Sequence, residues 1–235
     1  MLPTSLTYDT LIADPAHYFN VKVVINGVAY YRDTVSSMKT QSGLFADGQP
    51  GVGACIASEI NLVMLAPAVS IPRMAEIQAY VQVTDGTNVS EWIPQGVYFI
   101  DTREETKDDG VPTLTIHGYD AMLKTEAMFP GVESAFPMDD IDVVDMIASF
   151  IGVTVDERTE EAMTHAYQIS APVDYTMREV LSYIGAMYAG NWIITQEGKL
   201  LLVTLNGIPE ETSLLTDESG NVITFGEDAI SIVAI

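Results

Sequence analysis

The sequence is poor in cysteine and in basic residues. Its 235 residues include one cysteine, Cys55, which excludes an internal disulfide and zinc sites built on several cysteines. Ten lysines and arginines stand against 33 aspartates and glutamates, which gives a formal net charge of −23. A surface this negative repels phosphate, so binding to nucleic acid or to anionic membranes is disfavoured. The simplest explanation of the charge is solubility.

Long apolar runs and secretion signals are also missing. No stretch approaches the roughly 20 apolar residues that cross a bilayer. Residues 1–20 contain prolines and aspartates and lack the basic and apolar regions of a secretory signal. We therefore expect a protein with no membrane segment that is not exported by a classical signal. With 48% hydrophobic and 18% charged residues, the composition is globular and too apolar for a disordered chain.

Residues suited to catalysis or cofactor binding form no recognised pattern. His17, His117 and His165 are far apart, and none has a second ligand at the spacing of a metal site. The glycine-rich segment 41–53 lacks a phosphate-binding motif, and the sequence has no Gly-x-Ser-x-Gly elbow. We expect His117 to be packed or capping and Cys55 to be a buried small hydrophobe. The sequence therefore predicts no catalytic, cofactor-binding or metal-binding residue and no enzymatic activity.

Residues 18–118 show the two-residue alternation that is typical of β-strands. Asn26-Gly27 separates two such stretches and predicts a tight hairpin, because this turn needs positive φ at both positions. The pattern predicts strands at residues 19–25, 28–32, 54–65, 75–84, 96–102 and 112–117. Short strands at regular spacing indicate a β-barrel or a β-sandwich.

Helical periodicity begins after residue 134. Asp139-Asp140 is predicted to cap a helix, because acidic side chains are favoured at a helix N-terminus. The apolar residues that follow recur at three- and four-residue intervals, which is the spacing of one helix face. Gly152 predicts the end of this helix, because glycine readily adopts the left-handed conformation of a C-terminal cap.

A second helix and a hairpin complete this part of the chain. Thr176 and Glu179 have the spacing of a capping box, in which each residue satisfies an N–H group of the first helical turn. Gly190 is predicted to end the helix. Residues 191–195 and 200–205 are apolar stretches on either side of a turn, and they predict a β-hairpin.

Together these patterns predict an α+β fold that is mainly β. Residues 1–17 are expected to form an arm, residues 18–133 a β-barrel-like domain, and residues 134–205 a small α/β domain. Residues 206–235 would then be a return segment or the start of a truncated further domain. The apolar strand pattern at residues 230–235 has no polar exit, so we expect the natural protein to continue.

Three stretches of the sequence form a recognisable set. They are residues 50–60 (PGVGACIASEI), 97–102 (VYFIDT) with 114–122 (LTIHGYDAM), and 175–185 (YTMREVLSYIG) with 191–194 (NWII) and 198–200 (GKL). In their order and spacing, over about residues 20–205, they resemble the N-terminal portion of baseplate hub and tail-associated structural proteins of tailed bacteriophages and prophages.

This resemblance implies a structural protein of the virion tail that is assembled in the cytoplasm of the bacterial host. It implies a homo-oligomeric ring, usually a trimer, at the tip of the tail. Such a ring connects the tail tube or distal tail protein to spike or fibre proteins and lets DNA pass. The family motifs matched here are structural, so they carry no catalytic or ligand-binding residue onto this sequence.

Three alternatives remain open at this point. The chain is such a hub component, or a tail-tip protein that binds the cell wall or accompanies a hydrolase, with its active domain downstream of this segment, or a general β-rich binding protein. Formation of a closed ring distinguishes the hub from the other two. The acidic charge also has two explanations, because it either makes the whole surface soluble or lines the inner wall of the ring, where it would repel passing DNA.

Overall fold

The structure is a computed structural model that describes residues 4–45, 49–67, 71–108, 110–130 and 133–205, with four two-residue strands beyond them. The helices are α1 (Leu6–Ile12), α2 (Asp140–Ile151), α3 (Glu157–Ala162) and α4 (Met177–Met187), with 3-10 helices at Ala121–Glu126 and Glu133–Ala135. The strands are β1 (Tyr18–Ile25), β2 (Val28–Tyr31), β3 (Val35–Gln41), β4 (Cys55–Ile56), β5 (Glu59–Leu65), β6 (Glu76–Thr84), β7 (Ile93–Asp108), β8 (Val111–Tyr119), β9 (Met138–Asp139), β10 (Thr154–Val155), β11 (Gln168–Ile169), β12 (Gly190–Ile194), β13 (Lys199–Thr204), β14 (Ser213–Leu214), β15 (Thr224–Phe225), β16 (Asp228–Ala229) and β17 (Ser231–Ile232). The predicted fold class, α+β and mainly β, is confirmed.

Seven antiparallel strands form the larger sheet in the order β2-β1-β6-β7-β8-β5-β3. The predicted hairpin joins β1 to β2, and its turn residues Asn26 and Gly27 have φ of 49° and 81°. Successive side chains of a strand point to opposite faces, so every second residue can be buried. The buried face carries a core cluster of Val23, Ile25, Val35, Ile60, Leu62, Met64, Ile71, Ala75, Ile77, Ala79, Tyr98, Ile100, Leu114 and Ile116.

The larger sheet curls but does not close. β2 and β3 are the two edges of the hydrogen-bonded order, although Cα atoms of β1 and β3 approach within 8 Å. The expected barrel is therefore wrong in this respect: the described strands form an open sheet. Alternation within strands reports which face is buried, and it carries no information on whether the last strand pairs with the first.

A four-stranded sheet in the order β10-β13-β12-β4 carries the second core. β4 runs parallel to β12, with Cys55 opposite Trp192. The single strand predicted over residues 54–65 breaks at Ala57-Ser58, so its two halves join different sheets. The second cluster contains Cys55, Ala121, Met122, Val143, Val144, Ile147, Ala148, Ile151, Met163, Met177, Val180, Leu181, Ile184, Tyr188, Trp192, Ile194, Leu200 and Leu202. Segments before residue 134 thus contribute to this core, and the predicted division of the chain into domains stays a prediction.

The predicted signals at the ends of the first long helix agree with the structure in part. Gly152 ends α2 with φ 81°, and its N–H donates to backbone carbonyl groups of the last turn. Asp139 occupies the N-cap position, but its side chain makes no capping hydrogen bond. The carboxylate of Asp140 instead accepts from the N–H of Ile141 at 2.9 Å. The position of the helix start was predicted correctly, while its capping interaction was not.

The capping box at the start of α4 is confirmed. Thr176 Oγ1 accepts from the N–H of Glu179 at 3.2 Å, and the Glu179 carboxylate accepts from the N–H of Thr176 at 2.7 Å. The predicted stop at Gly190 is wrong, because α4 ends at Met187 and Gly190 begins β12. A Cβ at Gly190 would lie 2.8 Å from Leu202 Cδ1, so the glycine permits close packing against β13.

No helix among the described residues is long and apolar enough to span a membrane.

Candidate assembly interface

The chain passes between the two sheets at Ser58, which lies between β4 and β5, and again at Asp120, which follows β8. These two residues are hydrogen-bonded to each other. The N–H of Asp120 donates to the carbonyl of Ser58 at 3.0 Å, and the N–H of Ser58 donates to Asp120 Oδ2 at 2.7 Å. The other carboxylate oxygen of Asp120 accepts from the N–H of Met122 at 2.9 Å. Asp120 is 2% exposed. It therefore ties the end of β8 to the connection between β4 and β5.

Arg178 of α4 also makes hydrogen bonds to the backbone of this region. Its Nη2 donates to the carbonyl of Met122 at 3.2 Å, and its Nη1 donates to the carbonyl of Cys55. Its Nε lies 2.6 Å from Glu126 Oε1, yet Nε makes no aligned hydrogen bond, so this contact is an ion pair. One guanidinium thus connects α4, β4 and the 3-10 helix that follows β8.

A cleft of about 500 Å³ lies between the two sheets beside this junction. Its lining is drawn from the end of β3, from β7 and from the turn between β12 and β13: Thr40, Gln41, Ser42, Gly43, Leu44, Ser58, Gln95, Gly96, Val97, Tyr98, Asp120, Ile193, Ile194, Thr195, Gln196 and Val203. Most of these side chains are apolar, hydroxyl-bearing or amide-bearing. The cleft holds a single carboxylate, Asp120, whose oxygens accept hydrogen bonds from backbone N–H groups and from the side chain of Ser58.

Burial governs the ionisation of the groups at this junction. It raises the pKa of Asp120 to about 6, although the hydrogen bonds from Ser58 and Met122 and the charge of Arg178 act in the opposite direction. Burial also raises the pKa of Cys55 to about 12, which keeps the thiol protonated and unreactive. The thiol is 7% exposed, in agreement with the expected buried small hydrophobe.

The second half of β7 offers an unpaired backbone edge. β6 pairs with β7 only as far as Phe99, whereas β8 pairs with β7 as far as Asp108. Residues 101–107 therefore have β8 on one side and no strand on the other, among the residues that the structure describes, and all seven are exposed. An exposed edge of this kind can accept a strand from another chain.

The three histidines lie in separate places. His17 Nδ1 is 2.5 Å from the carbonyl of Asp14. His117 Nε2 lies 3.4 Å from Glu59 Oε2, and its ring packs edge-on against Tyr119 on the larger sheet, as expected for a packed histidine. His165 stacks on an aromatic ring of the α/β unit. Within the described ranges, no three histidine, cysteine, aspartate or glutamate side chains are grouped to hold a metal ion.

Sequence reasoning missed the residues that build the junction. Asp120 and Arg178 lie within stretches that resemble the phage family, but nothing in their local pattern shows that they bond to distant backbone groups. Asn191 was missed as well: its Oδ1 accepts from the N–H of Ala54 at 2.8 Å, and its Nδ2 donates to the carbonyl of Gly51 at 2.8 Å. All three residues satisfy backbone groups more than 50 positions away, which a local pattern cannot reveal.

Solved structures of two tail proteins share this fold. The 43 kDa tail protein of prophage MuSo2 from Shewanella oneidensis is 14% identical, with a TM-score of 0.57 over 84% of this chain and 59% of its own. The tail protein from Neisseria meningitidis MC58 is 15% identical, with a TM-score of 0.53 over 87% of this chain and 57% of its own. This chain therefore spans less than two thirds of each.

No protein-family model matches the sequence, and no curated protein matches it either. The likeness is consequently one of structure at low sequence identity. It extends over both sheets, because more than four fifths of this chain is covered in each comparison. The chain thus has the fold of phage and prophage tail proteins, which confirms at the level of the fold the resemblance found in the sequence.

Proposed function

We propose that this chain is a structural component of a phage or prophage tail. The observation that carries the proposal is the shared fold with two tail proteins over 84% and 87% of the chain. The finer proposal is a homo-oligomeric hub ring at the tail tip, located between the tail tube or distal tail protein and the spike or fibre proteins. This location in the virion tail implies assembly in the bacterial cytoplasm.

The unpaired edge of β7 supports an assembly role. Residues 101–107 are all charged or threonine and are exposed on both faces of the strand. Charged residues on a free edge discourage indiscriminate pairing, so a strand that does pair with this edge must be specific. We propose that a neighbouring subunit or the tail-tube protein supplies this strand, which would give the backbone N–H and C=O groups of β7 their missing partners.

The proposed role is structural and not enzymatic. The cleft holds one carboxylate, Asp120, whose two oxygens accept backbone N–H groups. The one cysteine is buried with a raised pKa, and the histidines are dispersed. These features support a protein whose role is to bind other proteins through its surface. A hydrolase or wall-binding activity would require a domain beyond this segment.

Passage of DNA gives the acidic charge a second role in this proposal. A basic inner wall would hold phosphates and release counterions, which would slow the moving DNA. An acidic wall would repel the duplex over a Debye length of about 8–10 Å. We propose that the excess of acidic residues is concentrated on the wall that faces the channel. A structure of the ring with a neutral or basic inner wall would contradict this part of the proposal.

Reconstitution tests the proposed function. The protein is mixed with the tail-tube protein and the spike or fibre proteins of the same phage, and the products are examined by light scattering and electron microscopy. We expect a closed ring bound to the tube. Thr106→Lys adds a charge to the free edge of β7 and should weaken assembly, while Thr154→Lys on the exposed strand β10 serves as the matched control. A protein that stays strictly monomeric in the full mixture would refute the proposal.

A further inference from the structure

The outer face of the larger sheet carries a lysine held between two aromatic rings. Lys22 Nζ lies 4.1 Å from the ring centroid of Tyr80 and 4.7 Å from that of Trp92. Tyr31, which is 48% exposed, lies opposite Lys22 on β2, and its ring is 6.3 Å from that of Trp92. We call Lys22, Tyr31, Tyr80 and Trp92 the Lys22 platform.

The Lys22 platform holds a positive charge in a fixed position at the surface of the sheet. Cation–π contacts with two rings hold the ammonium group in place. Because Lys22 is already ordered, it loses less side-chain entropy on binding than a mobile lysine would. The amides beside it are fixed as well, since Asn20 Nδ2 donates to Gln82 Oε1 at 3.2 Å. Among the described residues, no carboxylate oxygen lies within the 4.0 Å of Lys22 Nζ that defines an ion pair. The platform is thus a rigid cation without a carboxylate partner.

The α/β unit carries the complementary surface. Asp142 and Asp145 are one helical turn apart on α2, Glu160 lies on α3, and all three are exposed. Partial desolvation of the Asp145 carboxylate, followed by the charges of Glu160 and Asp142, raises the pKa of Asp145 although its side chain is exposed. No described lysine or arginine forms an ion pair with any of the three. These acidic side chains repel one another, and a cation from outside would relieve that repulsion.

We propose that the Lys22 platform of one copy of this chain binds the Asp142, Asp145 and Glu160 surface of a second copy. The two surfaces differ, so the contact is heterologous and repeats from copy to copy until a ring closes. Tyrosine and tryptophan supply the apolar contact area that anchors such interfaces, and the charges fix the register. This inference rests on the proposed ring and identifies the surfaces that build it.

Charge reversal on each surface tests the proposal. Sedimentation velocity at about 0.15 M ionic strength, where salt screens the repulsion between two copies of net charge −23, should show concentration-dependent association of the wild-type protein. Lys22→Glu and Asp145→Lys should each weaken association about tenfold or more, since each places like charges together. Their combination, K22E with D145K, should recover association because it restores opposite charges. Lys39→Glu on β3 makes the same charge change away from the platform and should leave association unchanged.

Lys22→Met separates charge from folding, because methionine keeps an unbranched apolar stem on the rings while removing the ammonium group. It should retain the wild-type thermal unfolding curve and lose association. The inference is overturned by a wild-type protein that stays monomeric at every concentration, by a Lys22→Glu variant that associates normally, or by a double variant that does not recover. A monomer that still assembles with tail partners would overturn the inference alone. Lys22-dependent association without binding to tail partners would instead refute the proposed tail function.

Discussion

Protonation of Asp120 should make the folded state more stable in mild acid. Its pKa is raised from 3.8 to about 6 in the folded protein because its carboxylate is buried where two chain crossings meet. A group whose pKa is raised on folding binds a proton more tightly in the folded state. Its contribution to stability is fully present below pH 3.8 and is lost as the pH rises through about 6.

The magnitude follows from the size of the pKa shift. A rise from 3.8 to about 6 corresponds to about 3 kcal/mol between the two protonation states. Between about pH 4 and about pH 7.5, the contribution of Asp120 to the free energy of unfolding should fall by about 2 kcal/mol. Carboxylates with lowered pKa values, such as Asp156, act in the opposite direction on the whole protein. The effect must therefore be isolated by comparison with a variant that lacks the titrating group.

Asp120→Asn provides this comparison. The free energy of unfolding of the wild-type protein and of this variant is measured in urea at about pH 4 and about pH 7.5. The unpaired amide of the variant carries a cost that does not depend on pH and cancels between the two conditions. Relative to wild type, the variant should gain about 2 kcal/mol at the higher pH. Asp85→Asn is the control: the pKa of Asp85 is lowered to about 2 by hydrogen bonds, so its titration lies below this window.

A relative stability of Asp120→Asn that does not change with pH would refute this reasoning, as would a change of opposite sign. The titration can also be followed directly through the carboxyl carbon of Asp120 by NMR. We expect a midpoint near 6. A midpoint below 4 would mean that the hydrogen bonds from Ser58 and Met122 outweigh burial.

Three further substitutions test individual parts of the fold by urea unfolding. Thr176→Ala should cost about 1 kcal/mol, because it removes the hydroxyl of the capping box, and a cost below about 0.2 kcal/mol would mean that the cap contributes nothing. Leu181→Ala should cost about 2–5 kcal/mol, since this side chain is fully buried in the second core. Gly118→Ala should cost about 1–3 kcal/mol, because a Cβ there would lie 2.7 Å from the carbonyl oxygen of Phe99. Gly43→Ala, with its nearest neighbour at 3.9 Å, is the matched control and should be near neutral.

The features that were predicted correctly from the sequence have local causes. The turn at Asn26-Gly27 follows from the φ values that these two residues tolerate, and the start of α4 follows from hydrogen bonds between residues three apart, Thr176 and Glu179. Gly152 ends α2 for a similar reason. Each of these signals lies within four residues of the structure that it determines. The fold class could be predicted because such signals repeat along the whole chain.

The features that were missed depend on partners that are distant in the sequence. β4 joins the second sheet because Trp192 lies opposite Cys55, 137 positions away, and an apolar run does not encode which sheet it enters. Gly190 was interpreted as a helix stop because glycine commonly fills that role, but β13 packs against it too closely for a side chain. The open edges of the larger sheet have the same origin, since strand alternation does not specify pairing.

Arg178 should stabilise the junction through its bonds to carbonyl groups more than through its ion pair. Arg178→Met keeps the apolar stem but removes the guanidinium donor from the carbonyls of Cys55 and Met122, and among the described residues only the Met122 carbonyl keeps a second donor, the Thr125 hydroxyl. We therefore expect a cost of about 1–3 kcal/mol in urea unfolding. Glu126→Gln removes only the charge of a carboxylate that is 61% exposed and should cost less than about 1 kcal/mol. Equal costs for Arg178→Met and Glu126→Gln would mean that the ion pair contributes as much as the bonds to the carbonyl groups.

Because the charge of Arg178 lowers the pKa of Asp120, the NMR midpoint of Asp120 should also rise in Arg178→Met. An unchanged midpoint would mean that the two groups are not coupled across the junction.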